Sequence, residues 1–209
     1  MAESYVIGVD FGSDSVRALI VNTETGENVG QGVACYPRWK AGLYQHPEHS
    51  IFRQHPLDYL ESLEKCITTA LAELTEEQKD HVIGIGVDTT GSTPVPVDKN
   101  GTPLALLDEF AENENAMFFL WKDHAAAAEA DEINKLFRNN SENDYTKYQG
   151  DYSAEWYWAK ILYAVRHDEA IRQAAYTWEE HCDWMTGILC GETRPEKIYH
   201  SACAAGHKA

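Results

Sequence analysis

Two segments of this 209-residue chain share one pattern, an apolar strand that ends in an aspartate followed by a polar turn. The first is YVIGVDFGSDSVRALIVN at residues 5–22, in which the apolar run ends in Asp10. The second is HVIGIGVDTTGSTPVPVD at residues 81–98, in which a similar run ends in Asp88. β-Branched residues favour strands, and Gly and Ser favour turns. Because open α/β sheets bind ligands at the carboxyl ends of their strands, the repeated pattern indicates one site at that edge.

The first turn carries residue types that suit a phosphate group and its metal ion. Gly12 lets the backbone approach an anion closely, because glycine has no side chain. Ser13 and Ser15 add hydroxyl donors, and successive backbone N–H groups in such a turn form an anion-binding concavity. Asp10 offers a hard oxygen ligand to Mg²⁺, directly or through water. On these residues alone, a plain hairpin with an acidic turn is an equal alternative.

The segment DFGSDSVRALIV resembles the phosphate-binding hairpin of the FGGY carbohydrate kinases, which belong to the actin-like ATPase superfamily. Three later segments resemble the members of that family that phosphorylate ribulose: GIGVDTTGSTPVPVD, LWKDHAA at residues 120–126, and the terminal CAAGHKA. The resemblance extends from about residue 6 to residue 209. It implies transfer of the γ-phosphoryl group of ATP, with Mg²⁺, to a ketopentose. The substrate implied most strongly is L-ribulose, converted to L-ribulose 5-phosphate in arabinose catabolism.

The same resemblance implies an α/β fold of the ribonuclease-H-like, actin-like type, with a mixed sheet in βββαβ order and a helical extension. Kinases of the family have two actin-like domains, and their catalytic aspartate lies downstream of the region that matches this chain. We therefore expect residues 1–209 to form an incomplete N-terminal domain. Its sheet core is expected at about 1–104 and a mostly helical, sugar-side extension at about 105–209. With the catalytic aspartate and the C-terminal nucleotide-binding domain expected beyond residue 209, the chain alone should not turn over ATP.

Hydrophobic periodicity gives a coarse set of elements for this fold. Strands are predicted at about 4–10, 15–22, 29–35, 82–88 and 93–97, with a long loop at about 37–55. An amphipathic helix is predicted from Pro56, which suits a first helical turn, to Leu74. After residue 105 the pattern predicts helices at about 111–120, 124–138, 153–167 and 178–189.

The resemblance also implies substrate-binding residues. Family members commonly have Trp-x-Asp-x-Arg where this chain has Trp121, Asp123 and Ala125, so the arginine contact is not carried over. An aromatic wall beside a carboxylate suits a sugar, which presents both C–H faces and hydroxyl donors. Lys208, in the terminal GHKA segment, is expected to donate hydrogen bonds to ketose oxygens, with a plain surface lysine as the equal alternative. Thr90, in the second turn, completes the expected set.

Asp88 has two interpretations. It ends a strand expected to neighbour the first strand, and there an aspartate could accept the proton of the sugar hydroxyl. The resemblance places the family's base beyond residue 209. Orienting or capping the second turn is therefore the favoured role.

Charge restricts the classes of partner. The formal net charge of −17 argues against nucleic acid and anionic membranes, which both bind cationic faces. The sequence lacks a signal-peptide pattern and an apolar stretch of roughly 20 residues, so a cytoplasmic protein is expected. Its five cysteines and nine histidines are scattered without zinc-ligand spacing. The expected partners are a ketopentose and ATP, and homo-oligomerisation is left open.

Two other functions use the same fold. A ribonuclease-H-like nuclease would use strand-end carboxylates with metal ions, but it would also need a basic stripe for nucleic acid, which this acidic chain lacks. A non-catalytic, actin-like sugar-binding or scaffold protein needs no catalytic base, and it is the main alternative to a kinase.

Overall fold

The computed structural model describes residues 3–140, 142, 144 and 146–206, and in it the chain divides into two units. Unit 1 comprises Met1–Leu43 and His55–Thr90, and unit 2 comprises Tyr44–Gln54 and Gly91–Ala209. The domain boundary expected near Leu104 lies inside unit 2. Among the residues described, no helix combines the length and apolarity needed to cross a membrane.

The elements follow in chain order. The strands are β1 Tyr5–Phe11, β2 Ser15–Asn22, β3 Asn28–Cys35, β4 Gln45–His46, β5 Ile51–Gln54, β6 Val82–Thr89, β7 Pro94–Val97, β8 Phe118–Phe119 and β9 Thr177–Glu180. The helices are α1 Pro37–Lys40, α2 Pro56–Leu71, α3 Glu76–Asp80, α4 Ala127–Asn139, α5 Thr146–Gln149, α6 Tyr157–His167, α7 Glu169–Ala174, α8 His181–Cys190 and α9 Ala202–Ala205. Short 3-10 turns lie at Pro47–His49, Leu104–Leu106, Asp108–Phe110 and Glu114–Ala116.

Unit 1 is built on a mixed four-stranded sheet with the strand order β3–β2–β1–β6. β2 pairs antiparallel with β1 and with β3, whereas β6 pairs parallel with β1. A parallel pair requires a long crossover, and the crossover here includes helix α2. Pro56 at the start of α2 and the His55 ring, which accepts the Leu57 N–H at 3.2 Å, define where that helix begins.

Helix α2 covers one face of this sheet. Residues of β1 alternate between buried and more exposed positions, with Val9 and Phe11 facing the core. The backbones of β3 and α2 approach so closely that a Cβ atom added at Gly32 would lie 2.1 Å from the Cys66 carbonyl oxygen. The Cys66 thiol donates to the Gly32 carbonyl at 3.1 Å. Glycine in β3 is therefore what allows the helix to pack on the sheet.

The opposite face of the sheet is apolar and open. Val33 on β3 is 59% exposed, and Leu19 on the neighbouring β2 is 46% exposed. A Cβ atom added at Gly8 would meet no atom within 4 Å. Soluble monomers rarely expose a large contiguous apolar patch, so this open sheet face is a candidate contact surface.

Replacing Leu19 by lysine should reduce self-association of the chain, because a charge on the central strand β2 of the open sheet face opposes an apolar contact. Light scattering over a range of protein concentrations measures the effect. The matched control is Leu136→Lys on α4 of unit 2, where the leucine is 61% exposed. Equal effects of the two substitutions would mean that the open sheet face is not the associating surface.

Unit 2 contains two small antiparallel sheets, with the strand orders β4–β5–β8 and β7–β9. Its core includes Phe118, Phe119 and Trp184, all fully buried. The Trp184 indole N–H donates to the Gly101 carbonyl at 3.2 Å, so the largest buried side chain has its polar atom satisfied.

Most of the predicted elements are confirmed, including the first three strands, helix α2 and β6. The helix predicted at 111–120 is wrong, because this segment forms 3-10 turns and strand β8. The Asn113 side chain accepts the Asn115 N–H at 2.8 Å and so favours a turn over a continuing helix. Residues Phe118 and Phe119 then pair with Gln54 and Arg53.

Two further predictions need correction. The loop predicted at about 37–55 contains helix α1 and strands β4 and β5. The last predicted helix begins at His181 rather than at about 178, because Thr177–Glu180 form β9 and pair with β7. Short strands of two to four residues have too few positions to show an alternating pattern, so they are hidden in a sequence.

Candidate functional site

The carboxyl ends of β1 and β6 bring the two strand-end aspartates together. Asp10 and Asp88 are direct partners in the parallel register, so the predicted adjacency of the two strands is confirmed. Asp10 lies on the open sheet face, because its chain neighbours Val9 and Phe11 point to the core, and its register partner Asp88 lies on the same face. Asp88 is exposed, and the Asp10 side chain is 49% exposed, which leaves both carboxylates accessible to a ligand.

Arg17 joins these aspartates from β2, and sequence reasoning missed it. It is the cross-strand partner of Asp10, and its Nη2 lies 3.4 Å from Asp10 Oδ2. A Cβ atom added at Gly12 would lie 3.2 Å from the same Nη2, so glycine leaves room for the guanidinium. Exposed ion pairs contribute little to stability, and a guanidinium is a strong donor to phosphate oxygens. Arg17 can therefore exchange Asp10 for an anionic ligand at low cost.

The turn between β1 and β2 is fixed by hydrogen bonds. The Gly12 N–H donates to the Ser15 carbonyl at 3.0 Å, and the Tyr36 hydroxyl donates to the Gly12 carbonyl at 3.1 Å. The Trp39 indole N–H donates to Asp14 Oδ1 at 2.6 Å. Burial raises the pKa of Tyr36 far above its ordinary value, so its hydroxyl stays a donor. The predicted phosphate-binding turn thus has a defined shape, in which the Gly12 N–H is used by the turn itself.

The second turn follows β6. Asp88 Oδ1 accepts the N–H of the next residue, Thr89, at 3.0 Å. The Thr89 hydroxyl donates to the Thr90 carbonyl at 3.2 Å. Thr90 is half-buried and is the last residue of unit 1.

The donor set at this edge fits Mg²⁺. Mg²⁺ prefers oxygen ligands and retains several waters, so it is commonly bound through one or two carboxylates. Asp10 and Asp88 offer carboxylate oxygens at neighbouring positions that solvent reaches. Either a direct bond to Asp10 or a bond through water is compatible with this exposure.

In unit 2 the predicted sugar-side residues Trp121 and Asp123 have different environments. Trp121 is 38% exposed, as an aromatic wall requires. Asp123 is fully buried, and its Oδ2 accepts the Phe52 N–H at 2.7 Å and pairs with Arg53 Nη1. Its Oδ1 accepts the Ala125 N–H at 3.2 Å. The Asp123 carboxylate therefore holds the turn that carries Trp121.

Arg53 is the buried partner of Asp123. Its guanidinium carbon lies 3.5 Å from the centre of the Phe119 ring, and the side chain is 1% exposed. Cation–π contact and the ion pair together offset the cost of burying the charge. Arg53 and Asp123 are 70 positions apart in the sequence, which explains why the sequence did not reveal the pair.

Replacing Asp123 by asparagine should lower the free energy of unfolding by about 3 kcal/mol, because the Arg53 charge stays buried without a counter-charge. The control is Asp151→Asn, whose pair with Arg138 is exposed, and its cost should be below about 1 kcal/mol. Urea unfolding followed by tryptophan fluorescence measures both values. Equal costs for the two variants would show that the buried pair has no special part in the fold.

A second buried charge, Lys160 of α6, was also missed by sequence reasoning. Its Nζ donates to the Ser92 carbonyl at 2.7 Å and to the Leu120 carbonyl at 2.9 Å. Burial lowers the pKa of Lys160 to about 7, and the nearby Glu180 carboxylate opposes this shift. The sequence did contain a sign that Lys160 is buried, because it lies between Tyr157 and Ala164 on the apolar stripe of a helix.

Lys208 lies outside the described residues. The segment that leads to it is held by Asp183, which accepts the Ser201 N–H at 2.7 Å and lies 3.1 Å from the His200 ring. Within the part of the chain that the structure describes, Glu179, Asp183 and His200 are the one group of three side chains with metal-ligand spacing.

Comparison with known proteins defines the class to which this chain belongs. Residues 5–202 match the model of the N-terminal domain of the FGGY family of carbohydrate kinases. The chain therefore belongs to the FGGY family of carbohydrate kinases.

Curated relatives within this class are named ribulokinase. One from Vibrio parahaemolyticus is 53% identical over 208 residues, which is 99% of this chain and 37% of that protein. Another from Shouchella clausii is 35% identical over 98% of this chain and 36% of that protein. The chain thus spans a little more than a third of the length of these relatives.

Solved structures agree with the predicted fold. The xylulose kinase of Bifidobacterium adolescentis has a TM-score of 0.73 at 18% identity, covering 98% of this chain and 39% of that one. The glycerol kinase of Plasmodium falciparum with ADP has a TM-score of 0.67 at 15% identity, covering 91% of this chain and 35% of that one. The α/β, actin-like fold expected from the sequence is confirmed.

Proposed function

We propose that this chain is the N-terminal part of an ATP-dependent kinase that phosphorylates a ketopentose, converting L-ribulose to L-ribulose 5-phosphate in arabinose catabolism. The observation that carries the proposal is the pairing of Asp10 with Asp88 beside the glycine–serine turn at one sheet edge. Membership of the FGGY family supports sugar phosphorylation, and the name of the relatives supports ribulose as the sugar.

Unit 1 supplies the phosphate contacts in this proposal. The hydroxyls of Ser13 and Ser15 and the Arg17 guanidinium bind terminal phosphate oxygens of ATP. Asp10 holds Mg²⁺, through water or directly. Bound with the nucleotide, this ion neutralises charge on the phosphoryl group as it is transferred. Asp88 keeps the second turn in shape through its contact with Thr89.

Unit 2 supplies the sugar contacts. The exposed ring of Trp121 packs against a C–H face of the ketose, and Asp123 keeps that ring in place through its hold on the turn. In the same proposal, Thr90 and Lys208 donate hydrogen bonds to sugar oxygens. We assign no residue of this chain as the base that removes the proton of the sugar hydroxyl.

The protein expressed from its complete reading frame should show its highest kcat/KM with L-ribulose in a coupled assay of ADP release. Other pentuloses, hexoses and glycerol are compared under the same conditions. A hexose or glycerol as the best substrate would refute the ribulose proposal. Residues 1–209 alone should release no ADP above a no-protein control, because a transfer reaction needs nucleotide, metal, sugar and base assembled together.

L-Ribulose binding without phosphorylation would instead support the scaffold alternative. Isothermal calorimetry with the same protein measures that binding directly. A protein that neither binds nor phosphorylates any of the sugars tested would refute both functions.

Replacing Asp10 by asparagine should reduce kcat by about 100-fold while leaving the fold intact, because a metal-binding charge is lost at constant shape. The loss should be largest at limiting Mg²⁺ and partly recovered at high Mg²⁺. Asp80→Asn, at the end of α3 in the same unit, removes a charge away from the sheet edge and should leave kcat unchanged. Normal turnover of Asp10→Asn at limiting Mg²⁺ would show that Asp10 has no part in binding the metal ion.

A further inference from the structure

Two turns of unit 2 are joined by one buried ammonium group. The Nζ atom of Lys160 donates to the Ser92 carbonyl at 2.7 Å, to the Leu120 carbonyl at 2.9 Å and to the Phe119 carbonyl at 3.4 Å. In its ammonium form Lys160 has three donors, which these three carbonyls match. Because the first two carbonyls bond to the same atom, the two turns lie side by side at this point.

The Glu180 carboxylate, on strand β9, binds the segment that contains Ser92. Glu180 of β9 accepts the Ser92 hydroxyl at 2.7 Å with Oε1 and the Thr93 N–H at 2.9 Å with Oε2. Lys160 and Ser92 are at most 2% exposed, and Glu180 is 1% exposed. Ser92 is therefore bound by the amine through its backbone and by the carboxylate through its side chain.

Two buried ionisable side chains, Lys160 and Glu180, are a costly way to fill a core. Apolar residues of similar volume often give equal or higher stability, because charges lose hydration on burial. What an apolar residue cannot do is bond to three backbone carbonyls from two segments. Lys160 therefore fixes the relative position of two segments, Gly91–Thr93 and Phe119–Trp121.

We propose that Lys160 is a positioning residue for sugar binding, which fixes the exposed ring of Trp121 against the Gly91–Ser92 backbone so that both meet the same sugar. This inference rests on the proposed function, because Trp121 is the aromatic wall in that proposal. Lys160 itself does not touch the sugar, since it is fully buried and its donors are used by the protein.

The test compares Lys160→Met with the matched control Lys135→Met, which removes an exposed lysine from α4, in the protein expressed from its complete reading frame. Lys160→Met should raise the KM for L-ribulose by about tenfold, as expected for loss of hydrogen bonds from a charged group. The KM for ATP should stay within about twofold of wild type. A residue that only stabilises the fold would lower the active fraction and leave both KM values unchanged, and that result would overturn the inference.

Hydrogen–deuterium exchange gives a second readout that does not depend on activity. Amides in residues 91–96 and 118–123 should exchange about tenfold faster in Lys160→Met than in Lys135→Met. Unchanged exchange in both segments would overturn the inference even for an inactive protein. Absence of sugar turnover by wild type would refute only the proposed function.

If Lys160→Met does not fold, Ser92→Ala tests the same network from its other side. This variant removes the hydroxyl bond to Glu180 and keeps the backbone carbonyl that Lys160 binds. It should raise the KM for L-ribulose by about threefold, with the KM for ATP unchanged. An unchanged KM for L-ribulose in this variant would overturn the inference.

Discussion

The parallel pairing of β1 with β6 is the constraint on which unit 1 depends. It joins segments that are more than 70 residues apart and sets Asp10 directly beside Asp88. Because side chains alternate across a strand, a slip of one residue would turn Asp10 into the core and Val9 into solvent. The burial of Val9 and Phe11 therefore fixes the register that assembles the candidate site.

Unit 2 depends on buried charges in a comparable way. Arg53 pairs with Asp123, and Lys160 lies near Glu180, with all four side chains at most 1% exposed. Three of them bond to the backbone. Asp123 and Glu180 accept turn N–H groups, and Lys160 donates to turn carbonyls. Hydrophobic packing is not directional, so these polar contacts are what define the backbone around Trp121.

The sequence predicts those elements whose conformation is determined by residues close to them in the chain. Strands β1 to β3 and helix α2 follow from alternation, from helical periodicity and from Pro56, which all act within a few residues. The segment at 111–120 could not be predicted in this way. Asn113 and Asn115 both donate to Asp168, and Phe119 pairs with Arg53, so distant residues determine its conformation.

The residues of the candidate site also differ in whether local sequence predicts their roles. Two local sequence patterns predict that Asp10 and Asp88 lie at strand ends. The fold class predicts that the two strands are adjacent. The role of Asp123 is not local, because it depends on Arg53 in another segment. The tryptophan–aspartate motif alone predicts an aromatic wall beside a sugar-binding carboxylate, whereas the structure exposes Trp121 and buries Asp123 against Arg53.

The negative charge of the protein restricts which ligands the site at the sheet edge can bind. Two neighbouring carboxylates in a chain of net charge −17 create a negative potential there, which Arg17 offsets only in part. An unaccompanied polyphosphate would be repelled by this edge, whereas a divalent cation would be attracted to it. A phosphate group that brings its own metal ion presents a cation to the two carboxylates and leaves Arg17 and the turn hydroxyls to bind its oxygens. The edge is therefore better matched to a metal-bound polyphosphate than to a free anion.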